Sequence, residues 1–294
     1  MQNTVIKKGH SKTTELKALM RLLDDPDQSI LSQIEQRILD FGKDAIALLE
    51  ETKQNCIDID LYERIDQIIQ KIQFESTFNT LTDWKNNAQS NLFEAALSIS
   101  AMHYPHMDID ALRKEMDKIT RDVWLELNED LTPLEKIQIL NHIFFDIYSF
   151  NGNKDNLSKP QNSLIKDVIE SKKGNSVSIS ILYLEVARRL NMPVYGIDLP
   201  QNFVLAYVNN ESVLSAKHRV LFYINPFNKG IIFTKKDIDS FLKQINEKPR
   251  DSFFQICENV IIVKRLLSEL IESFSAVGNE ETADTYKRLT KAFD

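Results

Sequence analysis

Cysteine, glycine and proline are all scarce in this sequence: 2, 7 and 8 residues among 294. Cys56 and Cys257 lie too far apart to form a CxxC metal site, and two thiols make no disulfide framework. Each is expected to act as a small buried hydrophobe in a reducing compartment. So few glycines and prolines predict long helices and few tight turns. No run approaches the roughly 18–20 apolar residues that a membrane helix requires. The first residues, Met1–Lys12, lack the apolar stretch of a signal peptide. These absences set the expectation of a cytoplasmic protein with no membrane partner.

Positive charge is also short. Lys and Arg number 36 against 43 Asp and Glu, for a net charge of -7. Phosphate binding needs clustered cations, and Lys172-Lys173 and Arg188-Arg189 are too small and too separated to supply them. No nucleic acid partner is expected. Apolar content of 43% and charged content of 27% are those of an ordinary globular chain. The length suits two or three small units.

The first third carries apolar residues at helical spacing: Leu16, Leu19, Leu22 and Leu23, then Ile30, Ile34, Ile38 and Phe41 after an Asp24-Asp25-Pro26-Asp27 break. Gly42 falls where a helix would be capped. Ala45, Leu48 and Leu49 mark a further helix, and Leu61 to Ile72 the next. Such pairs must stack on a neighbour to bury their faces, and the pattern resembles a HEAT-type repeat pair. Residues 88–150 continue in helices, with Tyr104-Pro105 ending one of them. Thr132-Pro133-Leu134-Glu135 offers a capping Thr, a Pro at the first helical position and a Glu that completes the box.

From residue 151 the texture changes. Asn151-Gly152-Asn153 and Lys173-Gly174-Asn175 are read as turns. Between them, Ser163–Glu170 is read as a short helix. Ser176–Leu190 is apolar on most sides, which predicts a helix buried at the centre of a domain. Val194–Ile197, Phe203–Val208 and Val220–Ile224 are rich in β-branched and aromatic residues and predict strands. Helix returns over Thr234–Ile245. Phe253–Phe293 reads as a helical hairpin about Gly278 and resembles a tetratricopeptide-type pair.

Three segments then stand in a telling order: Lys173-Gly174-Asn175-Ser176 opening the central helix, Leu199-Pro200-Gln201-Asn202-Phe203 heading a strand, and Asn225-Pro226-Phe227-Asn228-Lys229-Gly230 after a later strand. Together they resemble the transglutaminase-like core. Phe150-Asn151-Gly152-Asn153, Pro160-Gln161-Asn162-Ser163, Ala187-Arg188-Arg189-Leu190 and Tyr104-Pro105-His106-Met107 are similar to its bacterial SirB-type branch, whose members carry transglutaminase-like and tetratricopeptide regions. The resemblance runs from about residue 88 to the C-terminus. It implies an α+β fold, predominantly helical, with a small antiparallel sheet. The implied divisions are a HEAT-like unit over 1–80, the transglutaminase-like domain over 88–247 and a tetratricopeptide-like hairpin over 250–294.

In that family a Cys at the helix N-terminus gains thiolate character from the dipole, a strand His exchanges the proton, and an Asp orients the ring. Carried over position by position, these places hold Ser176, Asn202 and Asn225. An Asn can orient an imidazole, and a Ser can attack if a base adjoins it. Asn202 is the decisive change, because a carboxamide has no useful basicity near neutral pH. General-base assistance is worth about 10²–10⁴ in rate.

The expectation is therefore a degenerate triad in a catalytically inactive protein that binds a protein or peptide, with regulation as one expected use. Ser176, Asn202, Asn225, Gln201 and Asn175 are the binding residues, with no cofactor and no metal. The alternative is a hydrolase or acyltransferase with Ser176 as nucleophile and an unrecognised base, for which His218 is the one imidazole within conceivable reach. Ser176 is more readily read as a helix cap. His103 and His106 are read as part of a helix-to-loop turn, His142 as satisfied or exposed, and Cys257 as core.

Overall fold

The computed structural model describes residues 13–25, 27–88, 91–209 and 220–294. The chain divides into two compact units, Met1–Thr80 with Ala101–Pro105, and Leu81–Ser100 with His106–Asp294.

The smaller unit is helical: α1 (residues 13–20), α2 (Gln28–Leu39), α3 (Lys43–Gln54) and most of α4 (Ile59–Asp83). Asp27 starts α2 by accepting from Ser29 N at 2.8 Å and Ile30 N at 3.4 Å. Its core holds Leu16, Met20, Leu23, Ile34, Ile38, Leu49 and Ile65. Two members of the expected stripes lie outside it, since Leu22 and Ile30 are exposed. Met20 takes the inward place beside Leu16, four residues along the same face.

In the larger unit come most of α5 (Leu92–His103), α6 (Ile109–Glu126) and α7 (Pro133–Asn141). α7 starts as its sequence dictates. Thr132 Oγ1 accepts from Glu135 N at 3.3 Å, and the Glu135 carboxylate accepts from Thr132 N at 2.8 Å. A π-helical stretch, His142–Ile147, continues it. Next are β1 (Asn151–Gly152), α8 (Ile165–Ser171), β2 (Lys173–Gly174), the central α9 (Ser176–Arg189), β3 (Val194–Leu199), β4 (Asn202–Val208), β5 (Val220–Asn225), β6 (Ile231–Phe233), α10 (Lys235–Gln244), α11 (Asn259–Ala276) and α12 (Glu280–Leu289).

The two segments expected as turns, around Gly152 and Gly174, are instead parallel strands paired with each other. A two-residue strand has no periodicity to reveal it, and Gly serves here for close approach rather than for a turn. A Cβ on Gly152 would lie 2.4 Å from the Phe227 ring, and one on Gly174 2.5 Å from Ser178 Oγ.

Strands β3–β6 form one antiparallel meander in sequence order. α9 packs against β3 and β4. The other face of the sheet, through Val204, Ala206 and Tyr223, buries against Ile238 and Leu242 of α10. β4 is thus covered on both sides, which explains its nearly unbroken apolar run. α9 is buried at every position from Val177 to Ala187. Its C-terminal cations answer first to a carboxylate of the same helix: Glu185, with a side chain 3% exposed, pairs with Arg188 at 2.9 Å and Arg189 at 2.6 Å. Arg189 also pairs with Asp117. The Arg-Arg step is therefore an internal counter-charge.

Cys257 precedes α11, donates its N–H to Gly196 O at 2.9 Å and packs beside β3. It is half-buried, as Cys56 is, rather than wholly core. Burial first, and then the Asp198 carboxylate, push its thiol up to about 12. An acid whose folded pKa is raised keeps its proton while the unfolded chain gives it up. Stability is then lost as pH rises from about 9 towards 12, by at most about 1.4 kcal/mol per pH unit from this group. Buried Tyr183, Tyr207 and Tyr223, also pushed up by burial, add the same sign above their ordinary value of 10.0. Urea unfolding across this range should show a shallower alkaline decline in Cys257→Ala than in wild type. Equal slopes would refute the assignment.

Candidate functional site

The central helix is started by Asn175. Its side-chain oxygen accepts from Val177 N at 3.1 Å and Ser178 N at 2.8 Å, and Ser178 Oγ accepts from Asn175 N at 3.0 Å. This corrects the reading of Ser176 as the cap: Ser176 is the first helical residue. The amide end of Asn175 donates to Ser163 Oγ at 2.7 Å, so both ends of that side chain are engaged. Ser178 Oγ further donates to Asn162 O at 2.5 Å, and Asn153 Nδ2 to Asn162 Oδ1 at 2.8 Å. These bonds pin the 153–163 loop to the helix start and fix where Ser176 stands.

Freed from capping, Ser176 Oγ accepts the Phe203 N–H at 3.3 Å, its one hydrogen bond among the described residues. That contact sets the hydroxyl beside the head of β4, next to Asn202. Pro200-Gln201 turns the chain between Leu199 and its register partner Asn202. Gln201 has φ +60°, matching the third position of a type II turn with Pro before it. The Gln201 side chain is exposed.

Asn202 and Asn225 share the wall of a 180 Å³ cavity, with Leu199, Val204, Asn228, Ile231, Phe233, Asp237, Ile238 and Phe241. Asn225 Oδ1 accepts from Asn228 N at 3.3 Å, while the Asn202 carboxamide makes no hydrogen bond among the described residues. Asp237 is occupied in the capping box of α10, whose cap is Thr234. Hydrogen bonds from Thr234 Oγ1 and Thr234 N hold its carboxyl below the usual range. Of the five expected residues, the structure brings Asn202 and Asn225 onto one cavity, while Ser176 meets β4 at the Phe203 N–H and is not part of the cavity wall. Asn175 and Gln201 do not line it.

A second, larger groove of 550 Å³ meets the cavity at Asn228 and Ile231. Lys154, Lys173 and Lys229 line it with Asp155, Asn151, Gly152 and Phe227. Sequence reasoning missed these lysines, because they lie on three separate segments that only the β1–β2 pairing and the 226–230 turn bring together. His218 lies outside the described residues. His142 is exposed and pairs with Asp146 at 3.1 Å, while His106 is exposed. No group of three or more potential ligands for a metal occurs among the described residues, and none of their helices is long and apolar enough to cross a membrane.

Comparison with known proteins agrees with this architecture. A bacterial "UPF0162 protein" from Xylella fastidiosa is 29% identical over 140 residues, covering 47% of each chain. One from Vibrio cholerae is 24% identical over 182 residues, 61% of this chain and 64% of that one. The mouse "F-box only protein 21" is 24% identical over 159 residues, 54% of this chain but 24% of its own. The chain spans about half the length of the first of these relatives or less of the last. No solved structure matches it. The family model described as "Transglutaminase-like superfamily" matches residues 110–268, from α6 into α11. The chain belongs to the transglutaminase-like superfamily.

Proposed function

We propose that this chain is a SirB-type, non-catalytic member of the superfamily that holds a peptide or a segment of a protein in the cavity walled by Asn202 and Asn225. The observation that carries this reading is the bonding of Ser176. Its oxygen accepts a backbone N–H, and no base takes its proton among the described residues. A serine nucleophile needs an acceptor within about 2.6–3.2 Å of its oxygen. Asn202 and Asn225, which hold the other two triad places by motif order, are amides, which offer donors and acceptors to a bound main chain but no proton transfer. Apolar walls with a few polar groups suit binding of this kind.

A fluorophosphonate probe tests the reading. Wild type is expected to label no faster than Ser176→Ala, and Asn202→Trp, which fills the cavity, is expected to abolish peptide binding. Stoichiometric labelling lost only in Ser176→Ala would overturn it in favour of a hydrolase or acyltransferase served by a base such as His218.

A further inference from the structure

We propose that the lysine-lined groove selects acidic sequence, so that the occupant is an extended peptide with a bulky apolar residue in the 180 Å³ cavity and aspartates or glutamates beside it over the lysines. This rests on the reading of the cavity as a peptide site and names the chemistry of the peptide.

Three observations carry it. The first is charge. In a protein of net charge -7, three of the residues around this groove are lysines against one carboxylate. Lys154 and Lys229 make no ion pair among the described residues, and Lys173 makes a loose one with Asp155, 3.4 Å apart and well exposed on both sides. Other cations on the unit are committed, Arg113 to Glu94 and Asp110, Arg188 and Arg189 to Glu185, Lys172 to Glu115, and those that are not, such as Lys114, Lys159 and Lys264, do not line this groove. The second is continuity. Asn228 and Ile231 border both spaces, so one extended chain can enter both. The third is the edge. β6 is the last strand of the sheet, and Ile231 at its start is 61% exposed between the two spaces. A peptide laid along such an edge gains main-chain hydrogen bonds while its side chains supply selectivity. The overall negative field disfavours a long polyanion such as nucleic acid, and three lysines mixed with a carboxylate and a phenyl ring suit a short acidic motif.

The test uses the full chain and fluorescein-labelled decapeptide pools with Leu or Phe at the centre and Asp/Glu, Ser/Gln or Lys/Arg flanks, alongside a labelled single-stranded DNA dodecamer. Fluorescence polarisation should show the acidic pool binding about tenfold tighter than the neutral pool. That is the scale of three screened, exposed pairs acting together. The advantage should vanish in the K154E/K173E/K229E variant and shrink as salt rises. K264E/K287E/K291E, three exposed lysines away from the groove, changes the net charge equally and is the control. If the triple variant proves poorly folded, K154M/K173M/K229M keeps the question answerable. Equal binding of the acidic and neutral pools, or tighter binding of the DNA, would overturn the inference. Should Asn202→Trp still abolish binding of the neutral pool in that case, the cavity reading stands without it. Should no pool respond to Asn202→Trp, the cavity reading fails as well.

Discussion

Gly230→Ala is expected to destabilise the larger unit by about 3 kcal/mol and to dismantle the cavity with it. Gly230 sits at φ +69°, where a non-glycine residue costs about 1–3 kcal/mol. A Cβ there would stand 2.1 Å from Asn141 Oδ1. Asn141 cannot yield cheaply. Its oxygen accepts from the wholly buried Tyr183 hydroxyl at 2.9 Å, and its amide donates to Gly230 O at 2.8 Å. Moving it strands polar groups beside a packed ring, at about 1–3 kcal/mol. The gain from stiffening the unfolded chain, about 0.4–1 kcal/mol, does not offset this. Because Gly230 follows Phe227, Asn228 and Lys229, calorimetry should find the lower melting point together with lost binding of any cavity ligand. A variant that melts within a degree of wild type would refute the argument.

Removing both guanidiniums from the end of the central helix, as R188M/R189M, is expected to cost a comparable amount, about 3 kcal/mol. Glu185 would keep its burial and lose its partners. Arg188 is 47% exposed, so its own share is discounted for screening, and most of the loss falls to the better-buried Arg189. The decisive comparison is the triple variant with Glu185→Leu added. Replacing a whole buried ion cluster by apolar side chains is often neutral or stabilising, so the third substitution should restore most of what the first two removed. If it deepens the loss instead, the cluster is not held together by charge.

The α+β class and the central helix were legible because α9 has no polar face. The main strands were legible because β4 is covered on both sides. The Thr132 cap was legible because its box is local in sequence. What escaped was non-local or very short. The paired dipeptides at Gly152 and Gly174, and the three residues of β6, are too brief for any period. The cap shifted by one residue because Asn175 and Ser176 are both good capping types, and only the reciprocal bonds of Asn175 with Val177 and Ser178 separate them. Asn202 and Asn225 were found through motif order. Their neighbours Asn228 and Phe241 were not, since nothing in the chain between them signals a shared wall.

The tightness of the bend at Pro200-Gln201 limits how this protein can change in length. Two residues join strands held in register from Leu199–Asn202 to Val194–Tyr207. A single inserted or deleted residue absorbed within β4 would turn every following side chain through the sheet. Phe203 and Val204 would exchange sides, and Asn202 would leave the cavity wall. A lineage carrying this fold can therefore lengthen other connections, while this hairpin stays fixed in size for as long as the cavity is kept.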